Sequence, residues 1–161
     1  MSIITLQFAK KIAKLQNQSV NIKDLIVKTA QNTIEIEAIT LQNLLKTLDE
    51  DFVQTVLTLL KSQGRLIITG VGKSALIGQK IVSTLNSTGT PAIFMHAADA
   101  IHGDLGMIIP EDIVLCISKS GLTPEIKVLI PLLKSRNTTI IAMVADKNSL
   151  LAKAAHFVLH T

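Results

Sequence analysis

The chain has almost no aromatic side chains. Tryptophan and tyrosine are absent and four phenylalanines make up the 2% aromatic content of its 161 residues. Stacking platforms for single-stranded nucleic acid are built from such rings. A dense basic face is missing too. Sixteen Lys and Arg are scattered against twelve Asp and Glu, for a net charge of +4. Both absences argue against nucleic acid as a partner. Cysteine occurs once, at Cys116 inside an apolar run. No disulfide can close within the chain, which suits a reducing cytoplasm, and Cys116 reads as a small core residue. The four histidines show no close ligand spacing, so no metal site is expected. Long hydrophobic runs are lacking as well. The apolar stretches 66–68, 113–117 and 132–133 fall far short of the ~18 residues that span a membrane. Lys10, Lys11 and Lys14 lead into no apolar segment, so a secretory signal is not expected.

What is present is apolar material. Hydrophobic residues make up 48% of the chain, charged residues only 17%, and mean hydropathy is +0.45. A single domain of ordinary size can build a substantial core from this. The remaining apolar surface points to burial between subunits.

Residues 21–62 carry Ile22, Leu25, Ile26, Ile36, Ile39, Leu44, Leu45 and Leu48 at mixed spacings of three and four, a helical pattern. Asp49-Glu50-Asp51 divides it into two helices and suits the first turn of the second. Residues 1–20 are polar and are expected to pack weakly or on a neighbour. From Gly64 the pattern changes. Apolar runs at 65–69, 92–95, 113–117, 139–144 and 156–159 alternate with amphipathic stretches at 74–85, 124–134 and 149–154. Continuous apolar strands separated by helices predict an α/β fold with a parallel sheet covered on both faces. The expected architecture is a doubly wound, roughly five-stranded, flavodoxin-like sheet over 63–161, with residues 1–62 as an N-terminal helical extension.

Two loops stand out: Gly70-Val-Gly-Lys-Ser74, and Ser118-Lys-Ser-Gly-Leu-Thr-Pro-Glu125. Each follows an apolar strand and opens a helix. A strand that ends in Gly, Ser and Thr and turns into a helix presents backbone N–H groups to an anion. In strand order 2-1-3-4-5 the loops after strands one and three face each other across the switch-point crevice. The pair therefore predicts a pocket for a phosphorylated small molecule. Two nucleotide readings fail. Gly70-x-Gly72-x-x-Ala75 fits a loose dinucleotide fingerprint, but strand two ends at Met95-His96 without the acid that would hold a ribose. Gly72-Lys73-Ser74 resembles the end of a P-loop, but Ile67 stands where its first glycine is needed.

Lys73 is either a solvated surface lysine or a group facing an anion. A cation at a helix N-terminus is unfavourable by several tenths of a kcal/mol, which favours the second reading. Gly121 permits a tight turn, Thr123 suits an N-cap and Pro124 an N1 position. A well-capped helix explains Thr123 and Pro124 but leaves Ser118 and Ser120 unaccounted for. Glu125 either complements the helix dipole or transfers protons at the crevice, and these readings pull its pKa in opposite directions. A third turn-rich segment, Asp99-Ala-Ile-His-Gly-Asp-Leu-Gly-Met107, carries His102, which is either structural or active near neutral pH.

Together, Gly-Val-Gly-Lys-Ser74, Ser87-Thr-Gly-Thr-Pro91, His102-Gly-Asp-Leu-Gly-Met107 and Ser118-x-Ser-Gly-x-Thr with Glu125 resemble the sugar isomerase (SIS) domain of arabinose-5-phosphate isomerases. The resemblance covers roughly residues 64–161. It implies interconversion of D-arabinose 5-phosphate and D-ribulose 5-phosphate through an enediol, supplying Kdo for lipopolysaccharide. It implies a cytoplasmic homotetramer that needs no cofactor or metal. Carried over by position, Lys73, His102 and Glu125 match catalytic residues. Gly72, Ser74, Ser118, Ser120 and Thr123 match the substrate-binding pattern. Lys119 and Leu122 depart from the family's usual Asn and Glu. The resemblance also implies a further C-terminal segment with another glutamate and a histidine, not found by Thr161, and paired CBS domains that are likewise not in this chain. A non-catalytic sugar-phosphate sensor on the same fold is the alternative. Its usual DNA-binding module would precede the domain, and the N-terminal helices here are not basic enough for one.

Overall fold

The structure, a computed structural model, describes residues 21–161. The polar stretch 1–20 lies outside the described residues. The chain divides between Leu45 and Lys46 into two compact units. In the first, α1 (Ile22–Leu44) starts where the Asn21 side chain accepts a hydrogen bond from the Lys23 N–H, and none of its residues is buried. Among the described residues no helix is long and apolar enough to cross a membrane.

The second unit begins its main helix, α2 (Glu50–Lys61), at Asp49. The Asp49 carboxylate accepts the Phe52 N–H at 3.3 Å and pairs with Lys147 at 2.9 Å. These contacts, the Lys147 bond first, hold the Asp49 carboxyl below its ordinary pKa. The expected break at 49–51 is therefore a capping event.

Five strands follow: β1 (Leu66–Gly70), β2 (Ala92–His96), β3 (Ile113–Ile117), β4 (Thr139–Val144) and β5 (Phe157–His160). All adjacent pairs are parallel, in the order β2-β1-β3-β4-β5. The connecting helices are α3 (Lys73–Ser87), α4 (Ala97–Ala100), α5 (Pro124–Ser135) and α6 (Leu150–Ala154). Every residue of β1 and β3 is buried, which is why β3 reads as an unbroken apolar run and β1 as one interrupted only by Thr69 before its closing glycine. Bounds differ from expectation by a residue or two. Ser149 precedes α6 as its N-cap, accepting from the Ala152 N–H, and is not its first helical residue.

Period-two alternation sorts the strands onto two faces. Ile67, Met95, Val114, Cys116, Ile140 and Ala142 pack with Ile126, Leu129 and Leu133 of α5 and with α4 and α6. Ile68, Leu115, Ile117 and Ile141 point the other way, against Ile81, Val82 and Leu85 of α3 and Leu59 of α2. Desolvation in the first layer pushes the Cys116 thiol up to about 12, so it is inert at neutral pH.

β5 is an edge strand, and α2 manages its exposed backbone. The Asp51 carboxylate accepts the Val158 N–H at 2.9 Å. Asp51→Ala is expected to cost about 1–2 kcal/mol by leaving that donor without a protein partner. Denaturant titration measures it, and an unchanged midpoint would mean that water replaces the carboxylate.

Candidate functional site

The parallel order places the turns after β1, β3 and β4 side by side, with Gly70 opposite Ile117 and Ile117 opposite Met143. A cleft of about 440 Å³ opens there, beyond the carboxyl ends of the strands. Val71 and Ser74 line it from the first loop. Ser118, Lys119, Ser120 and Thr123 line it from the second, and Ala145 and Asp146 from the turn after β4.

Backbone contacts stitch these turns together. Ser118 N–H donates to the Met143 carbonyl at 3.1 Å, Ala145 N–H to Lys119 at 3.0 Å, and Leu151 N–H to Gly121 at 3.2 Å. Gly121 sits at φ +61°, and a Cβ there would lie 2.6 Å from the Ser149 Cβ. Only glycine lets the second loop fold this tightly against the start of α6.

The loop hydroxyls are set up as donors. Ser118 Oγ accepts the Gly121 N–H at 3.2 Å and Ser120 Oγ accepts the Leu122 N–H at 3.3 Å. Each hydroxyl proton remains free to rotate toward a ligand oxygen. Thr123 differs from expectation. It occupies the N-cap position and Pro124 is N1, but the Thr123 side chain makes no capping hydrogen bond. Its Oγ1 is buried without any partner in the protein. An orphaned buried hydroxyl costs about 1–3 kcal/mol, and this one stands in the cleft wall.

Capping sets the two flanking helices apart. Of the six α-helices described, α1, α2, α4 and α6 have their N-terminal amides bonded by a side chain, from Asn21, Asp49, His96 and Ser149. The exceptions are α3 and α5, which rise from the two loops of the cleft. The Lys73 and Ser74 amides at the start of α3, the Glu125 and Ile126 amides after Pro124 in α5, and the positive ends of both dipoles therefore have no side-chain cap, the arrangement that suits an anion. Lys119 adds a cation at the rim. Among the cleft-lining residues the sole carboxylate is Asp146, and its Oδ1 already accepts the Asn148 N–H at 2.8 Å.

The structure thus brings Ser74, Ser118, Ser120 and Thr123 into one cleft. Gly72, at φ +57°, is the N-cap of α3, and Lys73 is that helix's exposed first residue. Glu125 is half-buried in the first turn of α5. His102 is not brought to the cleft lining. It lies exposed in the turn after α4, with its N–H on the Asp99 carbonyl at 2.9 Å. The sequence does not single out Ala145 and Asp146, because nothing local marks the end of β4 as a cleft wall. Ser149 carries a readable signal, a serine directly before a helical run. Among the described residues no group of three His, Cys, Asp or Glu side chains gathers as a metal set.

The SIS domain family model matches residues 59–161. The chain is 48% identical to the Haemophilus influenzae protein named "Probable arabinose 5-phosphate isomerase", over 83% of this chain and 40% of that protein. It is 46% identical to the arabinose 5-phosphate isomerase KdsD of Pseudomonas aeruginosa, over 80% of this chain and 40% of that protein. The chain spans about two fifths of the length of these curated relatives. An Escherichia coli CFT073 protein solved in complex with arabinose 5-phosphate superposes with a TM-score of 0.67 and 36% identity, over 80% of this chain and 73% of that one. A match over 59–161, on a five-stranded parallel sheet whose two uncapped helices flank a hydroxyl-lined cleft, gives one conclusion: the chain belongs to the SIS domain family.

Proposed function

We propose that this chain is the SIS domain of an aldose–ketose isomerase that interconverts D-arabinose 5-phosphate and D-ribulose 5-phosphate. The observation that carries the reading is the cleft itself: hydroxyl donors, two uncapped helix starts and an orphaned threonine hydroxyl converge on one small-molecule-sized space. The names of the relatives and the arabinose 5-phosphate held by the E. coli neighbour support the choice of sugar phosphate.

In this reading Ser74, Ser118, Ser120 and Thr123, with the Lys73 and Ser74 amides of α3 and the Glu125 and Ile126 amides of α5, hold the phosphate. The reaction removes the C2 proton of the open-chain aldose and returns a proton to C1, while the O2 hydroxyl gives up its proton and O1 gains one, so the carbonyl moves from C1 to C2 by way of an enediolate. Glu125 is the proposed proton-transfer carboxylate. Lys73 is the proposed cation for the developing oxyanion, placed at the start of α3 beside Ser74. His102 is the third proposed catalytic group, a ring able to change charge near neutral pH. We further propose a cytoplasmic homotetramer acting in the supply of Kdo for lipopolysaccharide.

The test is turnover by the natural full-length protein, with ribulose 5-phosphate formation followed from arabinose 5-phosphate. Binding without turnover would replace the isomerase by a sugar-phosphate sensor. Lys73→Ala is expected to lower kcat at least ~100-fold, the scale of a lost oxyanion donor. Its melting temperature should stay within about 2 °C, because Lys73 is exposed and belongs to no ion pair found among the described residues. A parallel loss of folding would make Lys73 structural.

A further inference from the structure

At the opposite end of the sheet from the cleft, two charged residues meet that the proposed chemistry does not use. Arg65 directly precedes β1 and Asp112 directly precedes β3. The Asp112 side chain is fully buried and that of Arg65 is 31% exposed. The pair is bidentate: Arg65 Nε donates to Asp112 Oδ1 at 3.1 Å and Nη2 to Oδ2 at 2.6 Å. Asp112 also accepts two amides, Arg65 N–H at 2.8 Å on Oδ1 and Ile109 N–H at 3.1 Å on Oδ2. Burial pushes the Asp112 carboxyl up. The Arg65 guanidinium and the two amides more than offset this, so it lies below the ordinary carboxylate range and is ionised at neutral pH.

The same guanidinium makes one more bond, from Nη2 to the Met107 carbonyl at 2.7 Å. Met107 ends the 3-10 turn Asp104–Met107, whose N-cap Gly103 follows His102. Arg65 and Asp112 therefore grip the backbone at both 107 and 109. Leu105 and Ile108 anchor the segment in the core, and its other end is tied down by Ala97 and Ala100. Gly64 packs so closely on Glu111 that a Cβ there would overlap the Glu111 carbonyl. The base of the clamp has no slack. His102 lies between these anchors, its N–H on the Asp99 carbonyl and the Gly103 N–H on the Ala100 carbonyl, with Gly103 at φ +139°.

We infer that the Arg65–Asp112 pair is a positioning device that fixes the His102 segment for the reaction, from the end of the sheet remote from the phosphate cleft. This rests on the isomerase reading above. An ordinary ion pair joining two strand starts would not need the third bond to Met107. Arginine supplies three donors in a rigid fork, two for the carboxylate and one for the carbonyl.

The test uses the natural full-length protein with Arg65→Met and Arg65→Lys. The methionine keeps the apolar stem and removes every donor. Arg65→Met is expected to lower kcat at least ~10-fold while KM for arabinose 5-phosphate and affinity for inorganic phosphate change less than ~3-fold. Arg65→Lys, which can still reach Asp112 or Met107, should recover at least half of the lost kcat. Amide hydrogen exchange in Arg65→Met should rise across 101–109 and stay unchanged across 117–125. Unchanged kcat overturns the inference, as does an equal loss of kcat and phosphate affinity or a rise in exchange over the whole sheet. A parent protein without turnover overturns the isomerase reading and the clamp's catalytic meaning with it. The exchange pattern then still shows whether the pair holds the segment.

Discussion

Thr123→Val should bind sugar phosphate about ten-fold or more weakly and yet melt no lower than the parent chain. The two effects have opposite origins in one atom. Thr123 Oγ1 is buried and unpartnered, and it does not cap α5 although it stands at the N-cap. Valine has nearly the same shape and replaces the hydroxyl by a methyl group. Without ligand, the substitution removes a desolvated donor that costs about 1–3 kcal/mol, so stability should hold or rise. With ligand, it removes a hydrogen bond to a charged oxygen worth about 1.5–3 kcal/mol, which is roughly ten- to a hundred-fold in affinity. Calorimetric titration with arabinose 5-phosphate or inorganic phosphate reads the second effect, and thermal melting reads the first. A lower melting temperature with unchanged affinity would return Thr123 to a purely structural role.

Gly121→Ala is expected to be the most destabilising single substitution in the loop between β3 and α5. Two penalties coincide. The residue sits at φ +61°, where an L side chain costs about 1–2 kcal/mol. The new methyl would also lie against Ser149, 2.6 Å from its Cβ, and overpacking of that kind costs about 1–3 kcal/mol. A loss near 3 kcal/mol should lower the melting temperature by about 10 °C. Relaxation would push the second loop off α6, breaking the Leu151 N–H bond to the Gly121 carbonyl, so phosphate binding should fall as well. Ser149→Gly in the same chain removes the clash. It costs only a few tenths of a kcal/mol as an N-cap change, so the double variant should recover roughly half of the loss. No recovery would place the whole cost in the backbone strain.

These two residues show how far local sequence carries. Thr-Pro before an apolar run is a helix start, and the chain does turn into α5 there. Whether the threonine hydroxyl serves the helix or a ligand depends on what surrounds it, which no window of neighbouring residues shows. Gly121 reads as a turn glycine from its neighbours alone. That it also makes room for Ser149, 28 residues on, does not. The same distance rule accounts for Asp146. Nothing between Val144 and Ser149 marks a cleft wall, and it becomes one because β4 lies beside β3. His102 is the converse case, a residue conspicuous in its motif that the fold leaves exposed and outside the cleft lining.

What the sequence determined by itself was the order and type of the longer helices and the five strands, the parallel sheet and the Gly- and Ser-rich turns that open α3 and α5, whereas the short helix α4 is not legible in it. Hydrophobic period, turn residues and capping act over a few neighbours, and a crossover helix between buried strands leaves few ways to order them. What only the tertiary structure decided was the pairing of groups far apart in the chain. Arg65 and Asp112 stand 47 residues apart and Asp51 and Val158 stand 107 apart. Such contacts form only when packing has already brought two elements together, so their strength is invisible to any window along the chain.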